Sequence, residues 1–272
     1  MKRIRFLLLA ILLLGFLPAI GQVYWGPTGS INTYKAVFFD KDVLDTLDSK
    51  FRLGFSIGAF INVPLEDNYS LTTELNYQRL GRRSIIRDSN SDIPFKENYN
   101  FLEVPMMLRR EFEVYLVENM KSAWHLEIGP SISYWMGGKG EFKDIAEPFK
   151  YKIEFGEPRE TTDDIMFIEN ANRFLFGLKI GAGIKLQTRA REFVGIHLRY
   201  THGQTFLGKK GSSATLSNSF IQYTAVQNSS NYMKVNYRII SIDVGYNFYF
   251  AAAELKKGQS ISDRKKKVKR RR

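Results

Sequence analysis

All-β, closed as an eight-stranded antiparallel up-and-down transmembrane β-barrel, is the fold class that three features of this sequence predict. The chain opens on a secretory leader, and eight later segments alternate apolar and polar residues with period two. The last segment, Asp243-Val244-Gly245-Tyr246-Asn247-Phe248-Tyr249-Phe250, joins a polar start, one glycine and alternating aromatics, as closing strands of outer-membrane barrels do.

Lys2, Arg3 and Arg5 precede the apolar run Phe6 to Leu14, and Ala19-Ile20-Gly21 supplies the small residues that a signal peptidase reads. Residues 1–21 therefore read as a signal peptide and the mature chain as exported. The run is shorter than the roughly 20 residues a spanning helix requires. There is no cysteine, which excludes disulfides and thiolate metal sites.

The formal charge of +12 divides unevenly along the chain. The leader carries +3, and residues 251–272 carry +8, from ten Lys or Arg against Glu254 and Asp263, so the body, 22–250, is near +1. A nearly neutral exported body makes nucleic acid a poor partner.

Strands are expected at about 23–33, 51–62, 69–83, 99–112, 124–137, 172–187, 192–202 and 232–250. Long connections (34–50, 84–98, 138–171, 203–231) alternate with shorter ones (64–68, 113–123, 188–191). Barrels of this kind have long outer loops and short periplasmic turns, so both mature termini are expected in the periplasm, with the barrel in the cell outer membrane. The clearest segment puts Phe174, Phe176, Leu178, Ile180, Ala182, Ile184 and Leu186 on one face. Leu53, Phe55, Ile57, Leu75, Leu102, Met106, Leu108, Leu126, Ile128, Ile196, Leu198, Ile242 and Val244 continue that lipid-facing band. Val235, Tyr237 and Ile239 have the opposite parity to Ile240, Ile242 and Val244, which predicts a bulge or an exit from the membrane near Ile239.

The same register turns Arg52, Glu74, Glu103, Arg109, Glu127, Lys179, Lys185, His197, Arg199 and Asp243 inward. Such residues could line a pore or a catalytic cleft. The lumen of an eight-stranded barrel is roughly filled by side chains, so a mutually neutralising, plugged network is expected. A rim-located lipid enzyme would require a base, a nucleophile and an orienting group. His125 falls near the periplasmic start of its strand, His197 faces inward, and His202 lies at the outer rim with Ser212 and Ser213 following. No triad spacing joins them, and no enzymatic activity or cofactor is expected. Gly137-Gly138-Lys139-Gly140 lacks the context of a phosphate-binding loop and reads as the start of an outer loop. Asp40, Asp42, Asp45 and Asp48 lack the glycine and terminal Glu of a calcium loop, and no metal site is expected.

Phe101-Leu102-Glu103-Val104-Pro105-Met106-Met107-Leu108-Arg109 resembles the fourth-strand pattern of the small outer-membrane β-barrel family that includes PorT-type proteins. Gly129-Pro130-Ser131-Ile132-Ser133-Tyr134 is similar to its fifth strand, Gly177 to Ile184 to its sixth, and Arg199-Tyr200-Thr201-His202-Gly203 to its seventh, where His202 departs from the usual small or polar residue. The resemblance implies a non-enzymatic barrel over 22–250 and, through PorT itself, a component of type IX secretion. A small passive porin-like channel and a rim-located lipid-modifying enzyme are the alternatives. Pro105 would sit at a bulge, since a closed barrel has no free edge.

Gly245, Phe248 and Phe250 are the expected signal for the barrel-assembly machinery, as the resemblance implies. The tail, 251–272, is expected to be disordered and periplasmic. Its cations Arg264, Lys265, Lys266, Lys267, Lys269, Arg270, Arg271 and Arg272 are either simply solvated or a tether to acidic protein, peptidoglycan carboxylates or anionic lipid.

Overall fold

The structure, a computed structural model, describes residues 23–39, 50–65, 68–87, 92–117, 120–143, 148–157, 164–189, 192–216 and 233–250. The expected leader, the Asp40 to Asp48 run and the basic tail lie outside them. Among the described residues the regular elements are all strands: β1 (Val23–Phe38), β2 (Arg52–Pro64), β3 (Tyr69–Arg87), β4 (Asp92–Val117), β5 (Met120–Lys143), β6 (Pro148–Phe155), β7 (Ile165–Ala171), β8 (Phe174–Arg189), β9 (Glu192–Gly203), β10 (Gly208–Leu216) and β11 (Val235–Phe250).

Eight of these close an antiparallel ring in the order β1-β2-β3-β4-β5-β8-β9-β11, and β11 returns to β1 from Val23↔Phe250 to Phe38↔Val235. They are the eight segments that the alternation marks. β6, β7 and β10 correct the expectation that 138–171 and 203–231 are loops. Tyr151, Ile153 and Phe155 alternate with Lys150, Lys152 and Glu154 in β6, a period-two signal in a short segment. β6 pairs with β5 and, in parallel, with β7. Main-chain bonds from Leu207 N to Val235 O (3.0 Å) and from Gly208 N to Met233 O (2.9 Å) then attach the start of β10 to the start of β11. Past the ends of β8 and β9, the wall thus continues through these three strands.

The ring strands also overrun their expected limits. β3 and β4 stay paired to Arg87↔Asp92, and β4 and β5 to Val117↔Met120, so 84–98 and 113–123 are largely strand. Gly137 to Gly140 continue β5 instead of opening a loop. Gly137 takes φ 138° beside the register shift at Asn100/Phe101, where a positive φ excludes most other residues. Pro105 has no bulge. The β3–β4 ladder instead skips from Thr73↔Met106 to Asn76↔Glu103 without a change of register, which accommodates the missing N–H.

The outward face is apolar between two aromatic belts. Leu53, Ile57, Leu75, Ile128, Leu198 and Ile242 are all exposed. At the end where the ring's termini meet, Phe112 stacks on Trp124 (4.2 Å between centroids) and Trp25 lies 5.2 Å from Phe248. At the far end, Phe55 lies near Tyr77 and Tyr134 near Phe174. This exposed band, flanked by aromatic girdles, is the surface that lipid covers in a membrane barrel.

The interior has two layers. Polar and charged side chains fill the terminal half, whereas an apolar cluster including Tyr34, Phe38, Leu80, Tyr99, Phe101, Trp135, Ile153 and Met166 fills the far end. β11 runs through both without a bulge, its register with β1 unbroken in parity from Val235 to Phe250. Val235, Tyr237 and Ile239 point inward like Asp243. The apparent parity change is the passage from a charged lumen to an apolar one.

Candidate functional site: a charge-paired lumen

Inward parity on β3, β4, β5, β8, β9 and β11 brings Glu74, Glu103, Arg109, Glu127, Lys179, Lys185, His197, Arg199 and Asp243 together in the lumen, all buried. Arg199 is the hub. Its Nη1 and Nη2 donate to both oxygens of Glu74 (3.0 and 2.6 Å), its Nε donates to Glu127, and Asp243 Oδ1 lies 3.7 Å from Nη1. Arg109 donates to the other oxygen of Glu127 through Nε and Nη2 (3.1 and 2.8 Å). Lys179 donates to Glu103 at 2.9 Å, and Asn76 and Ser241 complete the shells of Glu74 and Asp243.

Arg52 does not join this group. It stands half-buried at the far end, donating to the carbonyls of Arg82 and Glu97 (3.1 and 2.8 Å) and to Asn98 (3.1 Å). There a second buried pair, Arg82 with Glu97, sits beyond the Phe101–Trp135 layer among Phe38, Phe95 and Tyr99, and the hydroxyls of Tyr99 and Tyr151 also donate to Glu97. Sequence reasoning missed four participants: Arg82, Glu97, Glu111 and the burial of His125. Arg82 shares the parity of Glu74, and Glu111 that of Arg109, so both were readable. Glu97 fell in a stretch taken for loop.

Among the described residues the buried acids balance the buried Lys and Arg: Arg82, Arg109, Lys179, Lys185 and Arg199 stand against Glu74, Glu97, Glu103, Glu127 and Asp243. Charges withdrawn from water persist only when paired and hydrogen-bonded, and here each carboxylate meets a cation or a donor. Lys185 pairs with Glu111 at the terminal end, beside a cavity of about 400 Å³ lined by Asn62, Ser70, Ser122 and Asn247.

His125 Nε2 and His197 Nδ1 share a hydrogen bond at 3.0 Å, and with Glu127 they bring three ligand-type atoms within 4.8 Å of one another. Two guanidiniums already engage Glu127, so the cluster is chemically part of the ion-pair network. His202 lies half-buried with Nδ1 3.4 Å from the Tyr200 hydroxyl, and Ser212 is buried on β10. Among the described residues no hydrogen bond joins His202 to a serine. On the closing strand, Phe248 and Phe250 stand on the lipid-type face, while Gly245 turns inward, where a Cβ would come within 3.1 Å of the Phe60 ring.

A ring of eight strands, apolar outside and charged within, defines a membrane β-barrel. The chain belongs to the outer membrane protein beta-barrel domain family, whose model matches residues 19–205, and this places it in the cell outer membrane. Comparison with the curated proteins finds no match. Among solved structures it is similar to the outer membrane protein OprG of Pseudomonas aeruginosa, with 8% identity over 85% of this chain and 97% of that one and a TM-score of 0.43. It is also similar to a major outer membrane protein of Thermus thermophilus (9% identity, 82% and 99% covered, TM-score 0.38). A third likeness is to the attachment invasion locus protein Ail of Yersinia pestis (9% identity, 84% and 98% covered, TM-score 0.33).

Proposed function

We propose that this protein is an eight-stranded transmembrane barrel, closed to solutes, that serves as a non-enzymatic structural or interaction component of a surface or secretion assembly. The observation that carries the reading is the filled lumen: among the described residues, paired charges occupy the membrane level and an aromatic layer lies above them. The end at which β1 begins, β11 ends, and the short connections β2–β3, β4–β5 and β8–β9 fall faces the periplasm. The far end, with β6, β7 and β10, faces outward and presents the surface available to partners.

Participation in type IX secretion is the finer part of this proposal, supported by the likeness of the Phe101 to Arg109, Gly129 to Tyr134 and Gly177 to Ile184 segments to PorT-type proteins. These motifs lie side by side, Pro105 opposite Ser131 and Ser131 opposite Gly177. A passive channel is the competing reading, favoured by the cavity at the terminal end, although the Glu111–Lys185 pair stands at its wall. Affinity purification from crosslinked native membranes tests the proposal. Reproducible recovery of secretion-machinery proteins supports it; a barrel recovered alone, from cells whose secretion is intact without it, contradicts it.

A further inference from the structure

Beyond the far-end belt, the outward faces of β3, β4, β5 and β6 carry six exposed cations: Arg79, Arg83, Lys96, Lys139, Lys150 and Lys152. The register sets two like-charged pairs directly opposite each other, Lys139↔Lys152 across β5 and β6 and Arg83↔Lys96 across β3 and β4. Like charges at directly opposed positions destabilise a sheet. Glu141 stands opposite both Lys96 and Lys150 and so compensates the row of Arg83 and Lys96, whereas Lys139 has the neutral Asn98 on its other side. Among the described residues no ion pair reaches Lys139 or Lys152. Both line an open groove of about 770 Å³ that Arg79, Asn98, Lys150, Glu141 and Asp164 also border, four cations against two carboxylates. An anion seated between the two lysines would relieve their repulsion.

The height of the groove identifies the anion. Arg79 lies two residues beyond Tyr77 on the outward face of β3, and Lys139 lies on β5 beyond Tyr134, so the cations begin where the aromatic girdle ends. That is the headgroup level of the leaflet facing the far end. We infer that this face holds a phosphorylated glycolipid of the outer leaflet, with a phosphate between Lys139 and Lys152 and Arg79 beside it. Lysines meet phosphate as point charges, and arginines by paired N–H donors. The inference rests on the membrane placement proposed above. It supplies a ligand for the groove and a reason for the opposed Lys139–Lys152 pair.

The test uses the full chain folded in detergent micelles, titrated with bisphosphorylated lipid A and with the same lipid after dephosphorylation. Folding of each sample is verified by its heat-modifiable gel shift. Saturable binding of the phosphorylated lipid is expected, at least tenfold weaker for the dephosphorylated lipid and for the K139E/K152E variant, and unchanged for Lys35→Glu on β1. Equal binding of both lipids, or full binding by folded K139E/K152E, overturns the inference. Complete competition by millimolar inorganic phosphate also overturns it, because the site would then hold a free anion and not a headgroup. The native chain has no cysteine, so K139C can be labelled with a membrane-impermeant maleimide on intact cells. Labelling only after cell disruption overturns the membrane placement together with this inference. Labelling on intact cells, with equal binding of both lipids, overturns this inference alone.

Discussion

Arg199 on β9 and Glu74 on β3 face each other from opposite sides of the eight-strand ring and bond in bidentate fashion across the lumen, at 2.6 and 3.0 Å. A side-chain bridge between diametrically opposed strands closes the barrel's cross-section. It also makes Arg199 the residue on which the network depends. Arg199→Gln leaves Glu74, Glu127 and Asp243 short of a shared cation. Removing one partner of a buried pair costs about 3–5 kcal/mol, and urea unfolding of the barrel in vesicles should show a loss of that order. A loss below about 1 kcal/mol, the scale of an exposed pair, would mean that water reaches these groups.

Glu103→Gln removes the charge opposite Lys179 while keeping an acceptor in place. The expected loss is smaller, about 1–3 kcal/mol for a buried bond to a charged group. It would be read as a lower temperature for the gel shift that separates folded from unfolded barrel. An unchanged shift temperature would show that Glu103 and Lys179 do not meet inside.

Gly140→Val tests the far-end extension separately from the ring. A Cβ at Gly140 would overlap the Tyr151 ring. Because this is rigid overpacking, at a cost of about 1–3 kcal/mol, the β5–β6 pairing should loosen while the eight-strand ring persists. Limited proteolysis should cut within 144–171 several-fold faster, with the heat-modifiable shift retained. Cutting at the native rate would contradict the packing of Tyr151 on this strand.

The ring was legible because period-two alternation is strong where one face meets lipid and the other a charged lumen. Phe174 to Leu186 state both faces without ambiguity, and Glu103, Arg109 and Glu127 could be turned inward by parity alone. The far end was harder to read. There the outward face is polar and the inward face apolar, so Val235, Tyr237 and Ile239 looked like a break in register when only the surroundings had changed. β6, β7 and β10 are short strands, of which β6 pairs with the adjacent β5, β7 with β6, and only β10 with a segment far away in the chain, and the length of their stretches made them look like loops. The His125–His197 contact joins β5 to β9, two strands that are not neighbours, and no spacing in the sequence announces it.

Assembly should depend on the closing strand and not on the basic tail beyond it. Phe250→Ser should reduce membrane insertion, whereas removal of 251–272 should leave it intact, as heat-modifiability in purified outer membranes would reveal. Twenty-two residues reach at most about 75 Å, so capture of periplasmic partners should be lost on that deletion and weakened by salt. A truncated chain that fails to insert would make the tail part of the folding signal; one that inserts and keeps every partner would remove the tether.

Single-channel recording in planar bilayers is the most direct measurement of the closed lumen. Purified, folded protein is expected to insert without stable conductance, because Arg199, Glu74, Glu127 and Arg109 fill the membrane level and the Phe101–Trp135 layer lies above them. Stable, ion-selective openings from the same preparation would contradict the plugged barrel on which the account stands.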